Sequence, residues 1–431
     1  MLQPEPLDYF PFLKMPEHNL YFWIILIAVI FIFLLDLVSE WLNLKALKPE
    51  LPTEFGDVFD SDKYLQSQNY TRTTTRFGFL ASTYGLVLFL TFWLIGGFNW
   101  LNSTICAWGF GEVTTGLLFF GILFIVNEIL TLPFDLHNTF KIEDRFGFNK
   151  TTMRTFLADK IKGGILAMIL GGPILALLLW LFSSEFLQDK AWLWGWVALS
   201  GFSLLMAYLA PAIILPLFNK FEPLEDGELK DSINAMATKC KFPLTELSVM
   251  DGSKRSSKSN AFFTGFGKNK KIALYDTLIE NHTTAELVAV LAHEIGHFKK
   301  KHIIQTMVIG ILQTGILFFL LNVFIQNEKL SAAFGVNPPA VYCSFLFFAM
   351  LFKPISKILS VAMSILSRRN EFEADAYAAE FTGEPNSLIS ALKKLSADNL
   401  SNLTPHPFYV FMNYSHPPVI SRIEALQKSS R

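Results

Sequence analysis

Charged side chains are scarce in this chain. Of its 431 residues only 17% are Asp, Glu, Lys or Arg, whereas 52% are hydrophobic and 15% are aromatic. Because soluble globular chains carry about 25% charged residues, the deficit indicates that lipid forms part of the solvent. The net charge of −1 gives no sign of the basic surface that a nucleic-acid partner requires. We therefore expect a membrane protein that binds no nucleic acid.

Cysteine is also rare, and the N-terminus lacks a basic run. The three cysteines, Cys106, Cys240 and Cys343, share no short spacing, so the sequence predicts neither a disulfide framework nor a thiolate metal site. The first twenty residues contain three acids and a single lysine, Lys14, unlike the basic start of a secretory signal. We expect the first apolar stretch to remain in the protein as a membrane anchor.

Seven apolar stretches are long enough to cross a bilayer as helices, which takes about 20 residues each. These stretches are residues 20–38, 77–98, 113–134, 163–182, 192–216, 302–325 and 340–362. They predict an α-helical membrane protein with seven transmembrane helices. The alternative, a soluble protein with seven buried helices, fits the composition much less well.

Lysine and arginine are confined almost entirely to alternate loops. Five lie between the first and second spans and six between the third and fourth, whereas the intervening loops hold none, Lys190 alone and Lys329 alone. Because cytoplasmic loops carry the excess of basic residues, we predict the N-terminus outside and the C-terminus in the cytoplasm. The pattern leaves open whether the membrane is a bacterial inner membrane or that of the endoplasmic reticulum.

The predicted spans divide the chain into four parts. Residues 1–216 form an N-terminal membrane region with five spans, and residues 302–366 hold the last two. The segments 217–301 and 367–431 lie on the predicted cytoplasmic side. Within the first of these we expect a helix at 225–240 and short strands near 247–250, 260–263 and 271–275, because apolar and polar residues alternate or run apolar there.

A metal-binding pattern, His293-Glu294-Ile295-Gly296-His297, follows a capping box of Thr283 and Glu286. On a helix the two imidazoles lie one turn apart on one face and can reach a single zinc ion. Glu294 then lies beside the metal, where it can hold a water and take its proton. The pattern predicts a zinc metallopeptidase. The alternative is a solvated helix end, since three lysines follow.

Gly296 is an unfavourable residue for the interior of this helix. Glycine costs about 1 kcal/mol there relative to alanine. The cost is easier to understand if something must approach the helix closely at this point.

A third metal ligand is needed, because a catalytic zinc takes three protein ligands and keeps one position open. Glu371 and Asp375 are four residues apart on one face of a predicted helix, and Glu373 lies on the other face. The pair suits one zinc ligand and one acceptor for the N–H of a ligating histidine. Taken alone, the segment is more typical of an ordinary charged helix in which Arg368 or Arg369 pairs with these acids. The ligand interpretation is favoured because the zinc pattern lacks a third ligand.

His416 precedes two prolines, and Arg422 follows it by six residues. A residue before proline is held in extended backbone, so we expect His416 in a turn and not in a helix. There it can donate a hydrogen bond to the oxyanion of a tetrahedral intermediate. By residue type alone, a surface histidine is the commoner interpretation.

Together these residues resemble the type I CAAX prenyl proteases, zinc endopeptidases of the endoplasmic reticulum with bacterial relatives. The resemblance extends along nearly the whole chain, well beyond the zinc pattern. The other segments that carry it are Leu51–Glu54, Asp62–Tyr64 with Ser67 and Gln68, Phe140–Thr151, Asp251–Ser257, Ser259–Phe262 and Asp276–Leu278.

The resemblance implies a hollow barrel of seven helices, with a gluzincin-like zinc peptidase domain containing a small β-sheet on its cytoplasmic side. It also implies one Zn²⁺ per chain and a role for each matching residue. The implied roles are His293, His297 and Glu371 as zinc ligands, Glu294 as catalytic base, Asp375 as the acid behind a ligand, His416 as the oxyanion contact, Arg422 as its companion, and Asn260, Ala261 and Phe262 as the strand that binds substrate by β-augmentation.

One position departs from the family pattern. Many relatives have a histidine where this chain has Lys258. The difference bears on substrate preference and leaves the zinc chemistry untouched.

The principal functional hypothesis is proteolysis beside a prenylated cysteine, which releases the C-terminal tripeptide of a CAAX protein. The alternative is a quality-control endopeptidase that cuts non-prenylated membrane proteins. A seven-span transporter with an incidental zinc site is less compatible, because such a site has no use for Glu294. An intramembrane protease of the site-2 type would place the zinc pattern inside a span, whereas here it lies before three lysines at the membrane edge.

Overall fold

The structure, a computed structural model, describes residues 14–187, 189–264 and 270–429. In that part of the chain seven helical segments are long and apolar enough to cross a membrane, which confirms the seven predicted spans. They are Leu20–Lys45, Ser61–Leu94, Glu112–Glu143, Met153–Ser183, Ala191–Phe218, His302–Phe324 and Val341–Thr382. Most are longer than the apolar stretches that predict them, because helices continue into polar residues with good helix propensity.

The helices are numbered in chain order. They are α1 Leu20–Lys45, α2 Ser61–Leu94, α3 Gly97–Cys106, α4 Glu112–His137, α5 Met153–Leu166, α6 Gly172–Ser183, α7 Ala191–Leu209, α8 Leu215–Phe218, α9 Glu228–Lys239, α10 Asp276–Asn281, α11 Thr284–Lys299, α12 His302–Phe324, α13 Glu328–Ala332, α14 Val341–Thr382, α15 Pro385–Asp398, α16 Pro407–Asn413 and α17 Val419–Ser429. Segments of π-helix extend α4 over Asn138–Glu143, join α5 to α6 over Ala167–Gly171 and join α7 to α8 over Ala210–Ile214.

Three of the seven membrane spans bury very little of their surface inside the protein. The buried share of the most apolar window is 6% in both Ser61–Leu94 and Glu112–Glu143, and 0% in Ala191–Phe218. Helices packed into a solid bundle would each bury an apolar stripe. The low burial therefore agrees with the hollow barrel that the resemblance implies.

An aromatic cluster closes one end of the barrel. Trp93, Phe98, Phe334 and Phe347 are buried there, and the rings of Phe334 and Phe347 stack with their centroids 3.9 Å apart. The indole N–H of Trp93 donates to the carbonyl of Ala333 at 2.8 Å, so the polar atom of this buried ring is satisfied. The cluster joins the ends of α2 and α14 with the short helix α3 and the loop after α13.

A second hydrophobic core lies at the other end and contains a four-stranded sheet. The strands are β1 Phe221–Pro223, β2 Leu244–Met250, β3 Ala261–Thr264 and β4 Lys270–Tyr275, in the order β1-β2-β4-β3. The central strands β2 and β4 are parallel, and both edge strands are antiparallel to their neighbours. The three predicted strands are confirmed. We did not predict β1, because three residues ending in proline give almost no strand signal.

One helix connects the two ends of the molecule. The 42-residue α14 begins beside the aromatic cluster, continues past residue 366 without a break, and ends in the second core. Its last four turns carry Glu371 and Asp375. The membrane spans and the candidate site therefore share a continuous helix.

Candidate metal centre

The helix that carries the zinc pattern begins as predicted. The hydroxyl of Thr283 accepts a hydrogen bond from the Glu286 N–H at 3.4 Å, and the Glu286 carboxylate accepts one from the Thr283 N–H at 2.8 Å. The same carboxylate also accepts from Ser390 at 2.6 Å and from Lys394 at 2.8 Å, both on α15. The capping box thus fixes the start of α11 and also its position in the peptidase core.

Gly296 is a point of close approach between α11 and α14. A Cβ at Gly296 would lie 3.1 Å from the Cα and the carbonyl oxygen of Ala374 and 3.2 Å from the ring of Tyr377. The close approach that we expected from this glycine is therefore present, and its partner is the backbone of α14. It brings Glu371, one turn before Ala374, within reach of both histidines.

His293, His297 and Glu371 converge on one point. The two Nε2 atoms are 3.2 Å apart, the His293 Nε2 lies 3.4 Å from Glu371 Oε2, and the His297 Nε2 lies 3.3 Å from Glu371 Oε1. Tetrahedral zinc with bonds of about 2.0–2.1 Å holds its ligand atoms about 3.3–3.4 Å from one another. Glu371 Oε2 is buried and forms no hydrogen bond to the described residues, although Arg422 Nη1 lies 3.5 Å from it, and a metal ion would supply the partner that this oxygen lacks. The three side chains fit a zinc ion.

The outer nitrogen of His293 contacts a buried ion pair. Its Nδ1 lies 2.8 Å from Asp375 Oδ1, and Arg422 donates to both oxygens of Asp375 at 2.7 and 2.6 Å. Burial disfavours charge on His293, but the close contacts with the carboxylates of Asp375 and Glu371 outweigh it and raise the pKa of His293 to about 9. Those carboxylates favour positive charge at this place, whether it is a proton or a metal ion.

Glu294 borders the cavity that these ligands face. The cavity has a volume of about 240 Å³ and is lined by Glu294, His416, Asn260 and Ala261 together with the three ligands. Burial raises the pKa of Glu294 above its usual value, so this carboxylate binds a proton more readily than an exposed one. A candidate base, a candidate oxyanion donor and the start of β3 therefore meet at one cavity.

His416 lies in a bend between α16 and α17, outside any helix, as expected. Its Nε2 is 3.3 Å from Glu371 Oε1, and its Nδ1 is 3.0 Å from the Ser415 hydroxyl. The imidazole is 64% exposed, so it can meet a substrate that enters the cavity.

β3 is the edge of the sheet nearest the cavity. It pairs with β4 on one side, and no strand of the described residues pairs with its other side. Asn260, just before β3, is exposed, and its side-chain oxygen accepts from the Ala261 N–H at 2.8 Å. Phe262 belongs to β3, but its side chain lies outside the described part of the chain. Such an edge can bind an extended peptide as an added strand.

Lys258 connects the loop before β3 to the membrane helices. Its Nζ lies 2.8 Å from Glu143 Oε2 and 2.9 Å from the Tyr70 hydroxyl, and 4.4 Å from the ring centroid of Phe148. Tyr70 in turn donates to Glu143 at 2.5 Å. The residue that departs from the family pattern is therefore one that holds the chain two residues before Asn260.

One residue beside the candidate metal centre was not predicted from the sequence. His302, the first residue of α12, is buried, and its Nδ1 lies 3.0 Å from Nδ1 of His297. Three histidines within ten residues were the available signal. The break between α11 and α12 at Lys300 and Lys301 hid it, because helical spacing alone does not place His302 on the face of His297.

Comparison with known proteins identifies the family. The model of the CAAX prenyl protease N-terminal region, which has five membrane helices, matches residues 40–220, and that of peptidase family M48 matches residues 223–430. The chain belongs to peptidase family M48. The family is zinc-dependent, so the predicted zinc cofactor and metallopeptidase activity are confirmed, in agreement with the fit of the three ligands.

Individual relatives resemble the chain over most of its length. CAAX prenyl protease 1 of Saccharomyces cerevisiae is 36% identical and covers 89% of this chain, which covers 89% of it in turn. The CAAX prenyl protease 1 homolog of Homo sapiens is 33% identical, with 88% of each chain covered. The crystal structure of S. mikatae Ste24p superposes with a TM-score of 0.90 at 33% identity, covering 95% of this chain and 100% of the other. The predicted fold is confirmed.

A larger side chain at position 296 should separate α11 from α14 and weaken metal binding. We expect Gly296→Val to lower the free energy of unfolding by about 1–3 kcal/mol through overpacking, and to lower zinc affinity because Glu371 moves away from the histidines. Thermal unfolding in detergent and zinc content after dialysis measure the two effects.

Gly310→Val is the matched control, since Gly310 lies in α12 with no atom within 4 Å of an added Cβ. It should change neither quantity appreciably. A Gly296→Val protein that binds zinc as tightly as the wild type would refute the role of this contact.

Proposed function

We propose that this membrane zinc metallopeptidase removes the C-terminal tripeptide from prenylated CAAX proteins. The observation that carries the proposal is the match, over nearly nine tenths of the chain, to proteins named CAAX prenyl protease 1. The grouping of Glu294, His416 and the start of β3 around the zinc ligands supports endoproteolysis as the reaction. The proposed partners are a prenylated peptide or protein and the lipid bilayer.

Each residue of the site has a proposed task. Bound zinc would lower the pKa of a water and polarise the scissile carbonyl. Glu294 holds that water and accepts its proton, which its raised proton affinity favours. Asp375 accepts the outer N–H of His293 and so fixes the ring, and Arg422 balances the buried charge of Asp375.

Substrate binding is assigned to the two walls of the cavity. The free edge of β3, from Asn260 through Ala261 and Phe262, hydrogen-bonds the extended peptide. His416, opposite, donates to the oxygen that becomes negative as the carbonyl is attacked. Its exposure keeps it available to the incoming chain.

The proposed route to the site is the open interior of the barrel. Lys160 pairs with Glu128 at 3.1 Å and with Asp135 at 2.7 Å between the third and fourth spans. Ionised groups in lipid are costly and usually face a water-filled cavity. A water-filled interior admits the polar peptide, while the surrounding bilayer accommodates the prenyl group of the substrate.

We propose that the N-terminus is outside and the peptidase core lies on the cytoplasmic side. The alternating distribution of Lys and Arg supports this orientation. In a Cys106→Ser chain, which removes the exposed native thiol, an impermeant maleimide applied to sealed vesicles with the cytoplasmic side outward (microsomes or inverted bacterial vesicles) should label Lys254→Cys and spare Lys190→Cys until detergent opens the vesicles. Both positions are exposed, and the reverse labelling would overturn the orientation.

The proposed activity can be tested with the purified full-length protein in detergent. It should release the tripeptide from a farnesylated CAAX peptide. Glu294→Ala should lower the rate by at least about 100-fold, the usual contribution of a general base, without loss of zinc, because Glu294 is not a ligand. Glu280→Gln, an exposed glutamate on α10, is the control and should match the wild type.

Two other outcomes contradict parts of the proposal. Equal rates for wild type and Glu294→Ala would remove Glu294 from the mechanism. Equal cleavage of farnesylated and unmodified peptides would favour the quality-control activity over CAAX processing.

A further inference from the structure

His302 is placed to act on the second zinc ligand from behind. Its Nδ1 lies 3.0 Å from His297 Nδ1, and its Nε2 lies 3.4 Å from Glu373 Oε2 on α14. Arg369 donates to the other Glu373 oxygen at 3.0 Å. The chain of contacts therefore runs from the metal ligand to the surface, where Arg369 is exposed. We propose that His302 is a positioning residue that fixes the ring orientation and proton arrangement of His297.

With a metal ion on His297 Nε2, the hydrogens along this chain can be arranged in one way only. A neutral imidazole carries a proton on one ring nitrogen. His297 faces the other ligands with Nε2, so its proton is on Nδ1, and the atom placed to accept it is His302 Nδ1. His302 must then carry its own proton on Nε2, where Glu373 accepts it. Each contact has one donor and one acceptor.

Burial makes the contact significant. His302 is 5% exposed, and a buried polar ring is costly unless its nitrogens form hydrogen bonds. An apolar side chain would fill this space at no such cost. The imidazole is best explained by the partners that it meets on both sides, His297 and Glu373.

The two zinc histidines consequently have different supports. The carboxylate of Asp375, on α14, contacts His293. Asp375 is itself paired with Arg422 on α17. His297 is held by a neutral imidazole at the first residue of the membrane helix α12. One ligand is thus oriented by the peptidase core and the other by the membrane region, so a shift of α12 would reach the metal through His302.

The inference rests on the zinc site of the proposed function and is independent of the substrate, so it is tested by metal binding. Zinc affinity of the purified full-length protein is measured by chelator competition, and the Co²⁺-substituted protein by its visible absorption. His302→Leu should weaken zinc binding by about 10- to 100-fold, the usual effect of losing a ligand's outer partner, and should change the Co²⁺ spectrum. His302→Asn places an amide oxygen near the position of Nδ1 and should recover part of the affinity.

His282→Leu is the matched control. It removes an equally buried histidine, 7% exposed, whose Nδ1 contacts the Leu278 carbonyl at 3.1 Å and not a proposed zinc ligand. It should leave zinc affinity and the Co²⁺ spectrum unchanged even if it lowers thermal stability.

Two results would overturn the inference. One is wild-type zinc affinity in His302→Leu, and the other is equal weakening in the Leu and Asn variants. If His302→Leu does not fold, the polar pair His302→Asn and His302→Gln decides. The Gln amide reaches past the Nδ1 position, so the inference requires weaker zinc binding by Gln than by Asn, and equal binding refutes it.

Discussion

The close contact between α11 and α14 at Gly296 is the constraint on which the site depends. Two of the proposed zinc ligands come from α11 and the third from α14, and a Cβ at Gly296 would meet the α14 backbone at 3.1 Å. The helix-propensity cost of the glycine is thus offset by the geometry that lets Glu371 reach both histidines. Because α14 also begins in the aromatic cluster at the far end of the barrel, the position of the metal site depends on how the membrane helices pack.

Near this contact, charged side chains are buried in a low-dielectric interior, and almost all of their polar atoms form hydrogen bonds or ion pairs. Asp375 meets Arg422 through two hydrogen bonds and His293 through a third. A buried ion pair of this kind contributes little net stability, but loss of one partner is expensive. Its value here is orientation, since it prevents rotation of His293. The atom left without a hydrogen bond, Glu371 Oε2, is the one that a metal ion would satisfy.

Features with a local signal could be predicted from the sequence. Apolar length predicted seven spans, the Thr283 box predicted the start of α11, and helical spacing predicted that Glu371 and Asp375 share a face. Features that depend on long-range packing could not. His302 reaches His297 across the break between α11 and α12 at Lys300 and Lys301. Lys258 contacts Tyr70 and Glu143, which are 188 and 115 residues away. The edge strand β1 is too short to carry a pattern.

The central claim is that two helices supply one zinc with His293, His297 and Glu371. X-ray absorption at the zinc edge of the purified full-length protein tests it most directly. The account predicts one zinc per chain, coordinated by two imidazole nitrogens and by oxygen with no sulfur, and loss of tightly bound zinc in Glu371→Ala. A sulfur ligand, or full zinc occupancy with an unchanged spectrum in Glu371→Ala, would contradict it.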